Sequence, residues 1–345
     1  MGRVTNLDQF KAERKVELGK ASTDSPEAVA VVSTTFLLRS IARMTEFVGG
    51  DIRKAIVFYA IWMASVNCNA SAVTNVRRLC GVDTALPVDV FRPVSVMAIS
   101  ASVNFPYESV RRYVEKLKLQ GLCSRAPSGR IRIDGIALEQ EQESRALLNS
   151  NLDHTLTFLS ELRSVEFDFR RFAPGSGMQP QSFLSKINSS IGGSVMRACA
   201  EFVMRGVDMM SEHYSGDLLL GLVHVTIWRE NVGPFFNKAE GRGYIARRER
   251  APNERRRPIS VRRLSASVGL PFETTRRYVS KLQRLGMVQV GKKGVIAPAE
   301  VFMHPRYADA VPRHYNNTVR LIHTLSRLGV SFAEYCSGDP PRCER

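Results

Sequence analysis

The side chains best suited to specific chemistry are two arginine pairs 165 residues apart, Arg111-Arg112 and Arg276-Arg277. A guanidinium carries a rigid fork of N–H donors, which matches two acceptors at once on a phosphate or on the edge of a guanine. The first arginine of each pair follows a glutamate by three residues (Glu108, Glu273) and an aromatic by four (Tyr107, Phe272). A hydroxyl stands between them at Ser109 or Thr274, and a lysine comes five residues later, at Lys116 or Lys281. Threonine can meet a methyl group or a base edge. Glutamate can accept from a cytosine amino group or complement the positive end of a helix. These residue types imply recognition of an anionic, base-bearing polymer.

Catalytic constellations are not in view. The sequence has no HExxH, GxSxG or GxxxxGK[ST] pattern, and its six histidines form no ligand-spaced cluster. Six cysteines at 68, 80, 123, 199, 336 and 343 show neither zinc spacing nor a disulfide framework. The expectation is a binding protein and not an enzyme, with no cofactor and no metal. A formal charge of +16 and a pI near 9.9 favour an anionic partner. The polar N-terminus does not read as a signal peptide, and no unbroken apolar run reaches the ~18 residues of a membrane span. A cytoplasmic protein without a membrane partner is expected.

The arginines are positioned by a stretch that occurs twice. Pro93–Gly121 and Pro258–Gly286 share sixteen of twenty-nine residues without a gap. A match this dense is an internal duplication. Each copy reads as a short helix, a tight turn and a second helix. Asn104 and Gly269 occupy the turn, and both tolerate a positive φ. Pro106 and Pro271 suit the start of the second helix. Val114 and Leu117 recur as Val279 and Leu282 and are expected to face a core, which leaves the arginines outward. A hairpin is expected after each copy. In the first half it turns at Pro127–Gly129 with Arg130 and Arg132 beside it; in the second it turns at Gly291–Gly294 with Lys292 and Lys293 at its tip.

The duplication extends further back. GDIRKAIVFYAIW matches GDLLLGLVHVTIW, which places Asp51 against Asp217 and Trp62 against Trp228. The second half also carries a basic loop containing Arg242, Arg247, Arg248, Arg250, Arg255, Arg256 and Arg257, readable as a solvated segment or as a phosphate clamp.

SVRRLSASVGLPFETTRRYVSKLQRLGMV and SVMAISASVNFPYESVRRYVEKLKLQGLC resemble the helix-turn-helix core of bacterial winged-helix transcription regulators. Two departures are a proline opening the second helix and a tyrosine, Tyr113 or Tyr278, at its usually small central position. The resemblance implies a mainly α fold with short β-hairpin wings, arranged as two tandem winged helix-turn-helix domains. The expected layout is a flexible arm (residues 1–28), a first domain (29–170), a linker (171–184), a second domain (185–335) and a tail (336–345). It also implies double-stranded DNA as partner, a bacterial nucleoid location, and DNA contacts from Tyr107, Glu108, Ser109, Arg111, Arg112, Lys116, Arg130, Arg132, Phe272, Glu273, Thr274, Arg276, Arg277, Lys281, Lys292 and Lys293. Plasmid replication initiators resemble the same tandem design, and a winged protein-interaction scaffold is a third reading. Apolar helices near residues 30–48 and 185–214 offer a homodimer surface. No effector ligand is named by the sequence.

Overall fold

Proline at the first helical position costs no hydrogen bond, and α1 (Pro26–Phe47) starts there, behind the N-cap Ser25. The structure, a computed structural model, describes residues 24–66, 93–133, 142–172 and 191–336. Most of the expected arm and linker, the tail from 337, and residues 67–92 lie outside the described residues. The described end of the arm is not loose. The Asp24 carboxylate accepts from the Asp168 backbone at 2.8 Å, from the Tyr315 hydroxyl at 2.7 Å and from Arg171. Glu27 is buried and accepts from the Ala251 N–H at 2.8 Å. A carboxylate taken out of water needs such donors, and Tyr315 and Ala251 among them tie the start of α1 to the second half of the chain.

Among the described residues the chain is mainly α-helical with two small antiparallel hairpins. After α1 come α2 (Ile52–Val66), α3 (Val96–Val103), α4 (Tyr107–Leu119), β1 (Cys123–Arg125), β2 (Ile131–Ile133) and α5 (Gln142–Ser164). The second half has α6 (Ile191–His213), α7 (Leu218–Phe236), α8 (Ala239–Arg247), α9 (Val261–Val268), α10 (Phe272–Arg284), β3 (Gln289–Gly291), β4 (Gly294–Ile296), α11 (Ala310–Arg327) and α12 (Ala333–Cys336). In register, Cys123 faces Ile133 and Gln289 faces Ile296.

The repeat is deeper in the fold than in the obvious stretch. At an offset of 166, α6 repeats α1, with Phe36 matching Phe202, Met44 matching Met210 and Glu46 matching Glu212. Phe36 and Phe202 touch each other, ring centroids 5.6 Å apart. A residue meets its own repeat only near the axis that relates the copies. The helix packing is reciprocal as well: α1 lies on α7 and α11, while α6 lies on α2 and α5. Such exchange is the mark of an approximate two-fold. One continuous hydrophobic core therefore runs through both halves. The apolar faces of α1 and α6, which the sequence offered to a second copy, are covered within this chain.

Among the described residues, α1 is also long and apolar enough to cross a membrane. Serines, threonines and arginines interrupt its apolar runs, so a search for an unbroken stretch passes over it. Its most apolar window is 72% buried inside the protein, as a core helix would be.

Candidate nucleic-acid interface

The two copies of the repeated stretch build the same local object for the same local reasons. Ser95 caps α3 by accepting from the Ala98 N–H at 3.1 Å, and Ser260 caps α9 from the Arg263 N–H at 3.3 Å. Each helix stops in the left-handed region, at Asn104 (φ 53°) and Gly269 (φ 70°). The turn is then clasped by a serine hydroxyl donating to a carbonyl: Ser100 to Phe105 at 2.6 Å, and Ser265 to Leu270 at 2.7 Å. Pro106 and Pro271 sit just before α4 and α10 as N-caps. Val110, Val114 and Leu117 bury the inner face of α4, and Thr275, Val279 and Leu282 that of α10.

Burial of that face pushes the arginines outward. Arg111 and Arg276 are about half exposed, and each pairs with the glutamate one turn back. Arg111 Nε lies 2.9 Å from Glu108 Oε2, and Arg276 Nη2 lies 2.8 Å from Glu273 Oε2. The Glu108 hydrogen bond raises the affinity of Arg111 for its proton. Arg112, Arg277 and Lys116 are exposed, and Lys116 lies over the Tyr113 ring. Tyr107 and Phe272 leave large apolar rings 42% and 46% exposed at matching helix starts. Ser109 and Thr274 are half-buried beside them. Lys281 differs from the rest of the expected set: its ammonium lies 2.6 Å from Asp217, joining α10 to the start of α7.

The first hairpin lies against α4 and α2, and β4 of the second lies against α7. Lys292 and Lys293 are exposed at the two-residue turn between β3 and β4, and Arg130 is exposed before β2. Arg132 is half-buried and donates to Ser124 at 3.2 Å. Each hairpin gains a third contact that the sequence reading missed: Val94 bridges to Ile131, and Ile259 to Val295. Gly294 makes the second bridge possible, since an added Cβ there would lie 2.6 Å from the Ile259 carbonyl. In the second half Asn231 fastens this layer to α7. Its amide donates to the Arg257 and Val295 carbonyls at 2.7 and 3.1 Å, and its oxygen accepts from the Ala297 N–H at 2.8 Å.

Arg125 was also missed. It reaches Glu115 at 2.9 Å, and the Lys118 hydrogen bond, seconded by that of Arg125, holds that carboxyl below the usual range. Its position two residues beyond the buried Cys123, on the exposed edge of β1, was the available signal. Arg262 is exposed on α9 where the first half has Met97.

Two of the seven arginines of the basic loop, Arg250 and Arg256, are built into the fold. Arg256 is buried and donates to the Ala297 and Ala251 carbonyls at 2.8 and 3.2 Å, with Glu27 at 3.7 Å. Burial pulls its proton affinity down and pushes that of Glu27 up. Arg247 pairs with Glu249, Arg255 with Glu240, and Arg250 donates to the Phe302 carbonyl. Arg242, Arg248 and Arg257 are exposed.

Among the described residues, no group of three or more His, Cys, Asp or Glu side chains is placed to hold a metal ion. No protein-family model, curated protein or solved structure matches this chain.

Proposed function

We propose that this protein binds double-stranded DNA sequence-specifically, through two related but unequal winged helix-turn-helix modules, as a transcription regulator. In this reading α4 and α10 enter successive major grooves and the hairpins act as wings on the backbone. One observation carries it. Both copies present the same exposed aromatic–Glu–Arg-Arg face at the start of the second helix, beside a hairpin with basic residues at its turn. A core packing requirement does not account for exposed residues kept alike in two copies. The +16 charge supports a polyanionic partner.

The approximate two-fold adds an expectation about the target. Heads related by such an axis fit half-sites in inverted order. The copies differ at outward positions (Glu115 against Ser280, Leu119 against Arg284), so the half-sites should be related and not identical.

The test is selection from a random duplex library with the unmutated chain, Arg111→Ala/Arg112→Ala and Arg276→Ala/Arg277→Ala. Enrichment of an imperfect inverted repeat is expected, with each double variant losing preference in one half-site. Removing a good bidentate arginine–guanine pair costs about 1–3 kcal/mol of discrimination. Enrichment of no duplex by the unmutated chain sinks the proposal. Melting of a bound origin-like repeat would move the chain to the replication-initiator reading.

A further inference from the structure

A cleft with about 610 Å³ of empty space, part of it open to solvent, lies between α1, α6, α7 and α11. Thr34 and Leu37, Gly206, Val225, Tyr307 and His314 are among its walls. The duplication explains the space. At the 166-residue offset Val225 stands where the first half has Tyr59, and Gly206 where it has Ser40. In the first half the Tyr59 ring is buried, and its hydroxyl donates to the Ser40 carbonyl at 3.3 Å. The second half lacks that ring, while the room of the missing serine side chain is taken by Leu37, whose Cδ2 lies 2.8 Å from where a Gly206 Cβ would stand. Val225 accordingly stays half-exposed between buried neighbours.

The chemistry of the walls narrows the occupant. Among the described residues, no Asp, Glu, Lys or Arg lines the cleft. His213 is matched by Asp309 at 2.9 Å. Burial holds His314 neutral, its pKa lowered to about 4. Met209, Met210, Trp228 and Phe302 supply soft, flat apolar surface, which suits an aromatic ring. A charged ligand would lose its hydration without a partner.

We propose that this cleft binds a small uncharged phenol, its ring taking the place that the Tyr59 ring has in the first half and its hydroxyl donating to the Gly206 carbonyl. This site is independent of the DNA reading and stands or falls on its own.

The probe is para-cresol, the tyrosine side chain as a free molecule, titrated calorimetrically into the full chain. One saturable site is expected, at about millimolar affinity or tighter for a ligand of this size. Para-hydroxybenzoate, which adds a charge, should bind at least about tenfold more weakly. Val225→Tyr restores the first half's own solution, so it should fold with an unchanged or higher thermal midpoint and lose cresol binding. Ala310→Trp, at a half-exposed position lining the cleft, should weaken binding at least about tenfold with helical content unchanged. It decides the matter if Val225→Tyr does not fold. The proposal is overturned if the unmutated chain takes up no cresol, if the charged analogue binds equally well, or if the folded variants bind as the parent does.

Discussion

Glu273 and Arg276 form an ion pair on an open surface, where such pairs contribute only about 0–1 kcal/mol to stability. In the DNA reading, its presence in both copies fits a positioning role better than a stabilising one, with the carboxylate aiming the guanidinium fork. Glu273→Gln should therefore leave the unfolding free energy within about 0.5 kcal/mol. In the DNA selection it should blunt the base preference of the second half-site and raise affinity for unrelated duplex, since a negative charge near phosphate is gone. An unchanged base preference would reduce the pair to surface decoration. Buried histidines give a different residue-scale expectation. His224 and His314 are both pushed down to about 4 by burial. The folded state thus favours their neutral form, and the unfolded chain binds more protons between pH 6.5 and 4. Stability is full above about 6.5 and falls as pH drops towards 4, by roughly 3 kcal/mol per histidine. Urea midpoints across that range should show the decline, and His314→Leu should flatten part of it.

At the scale of elements, the hairpins depend on contacts outside themselves. A two-stranded hairpin alone is marginal in water, and here each gains the bridge from Val94 or Ile259. The second is also fastened by Asn231. Asn231→Ala leaves the Ala297 N–H without its side-chain partner, at about 1–3 kcal/mol for an unsatisfied donor, while the Val295 carbonyl keeps the Ile259 N–H. Chemical denaturation should show a loss in that range, and hydrogen exchange should show it concentrated at residues 289–297. Lys292→Ala/Lys293→Ala is predicted to leave stability alone. In the DNA reading it weakens binding to all sequences alike and lowers the salt slope by about one for each phosphate no longer neutralised. A change in preference at one base instead would make the hairpin a base reader.

On the scale of the whole molecule, the two halves complete each other. The buried face of α1 is covered in part by α7 and α11, and α6 in turn covers α2. Residues 1–172 or 173–345 expressed alone would expose those faces to water. Neither fragment should show cooperative unfolding by itself, and mixing them should restore helical content as they dock. Two independent cooperative transitions from the separate fragments would show that the shared core is dispensable. In the DNA reading, the shared core also fixes the spacing of α4 and α10. Inserting five base pairs between half-sites should then cost most of the specific affinity, because it rotates one half-site to the far side of the duplex.

The order of residues was enough to establish the repeated units: their two helices, the turn at Asn104 or Gly269, the inward Val and Leu positions and the outward arginines. Those features are set within some thirty residues, by capping, by left-handed tolerance at one position and by helical periodicity. It also pointed to hairpins, whose turn residues are local. What it did not carry was anything decided between distant segments. The engagement of Lys281 by Asp217, the burial of Arg256 within the basic loop, the anchoring of Asp24 and the meeting of Phe36 with Phe202 all join residues far apart in the chain. A charged side chain looks the same in sequence whether it is solvated or clamped. Which arginines remain exposed and which close the core follows from the packing of the whole fold, because desolvation and pairing depend on what lies against them.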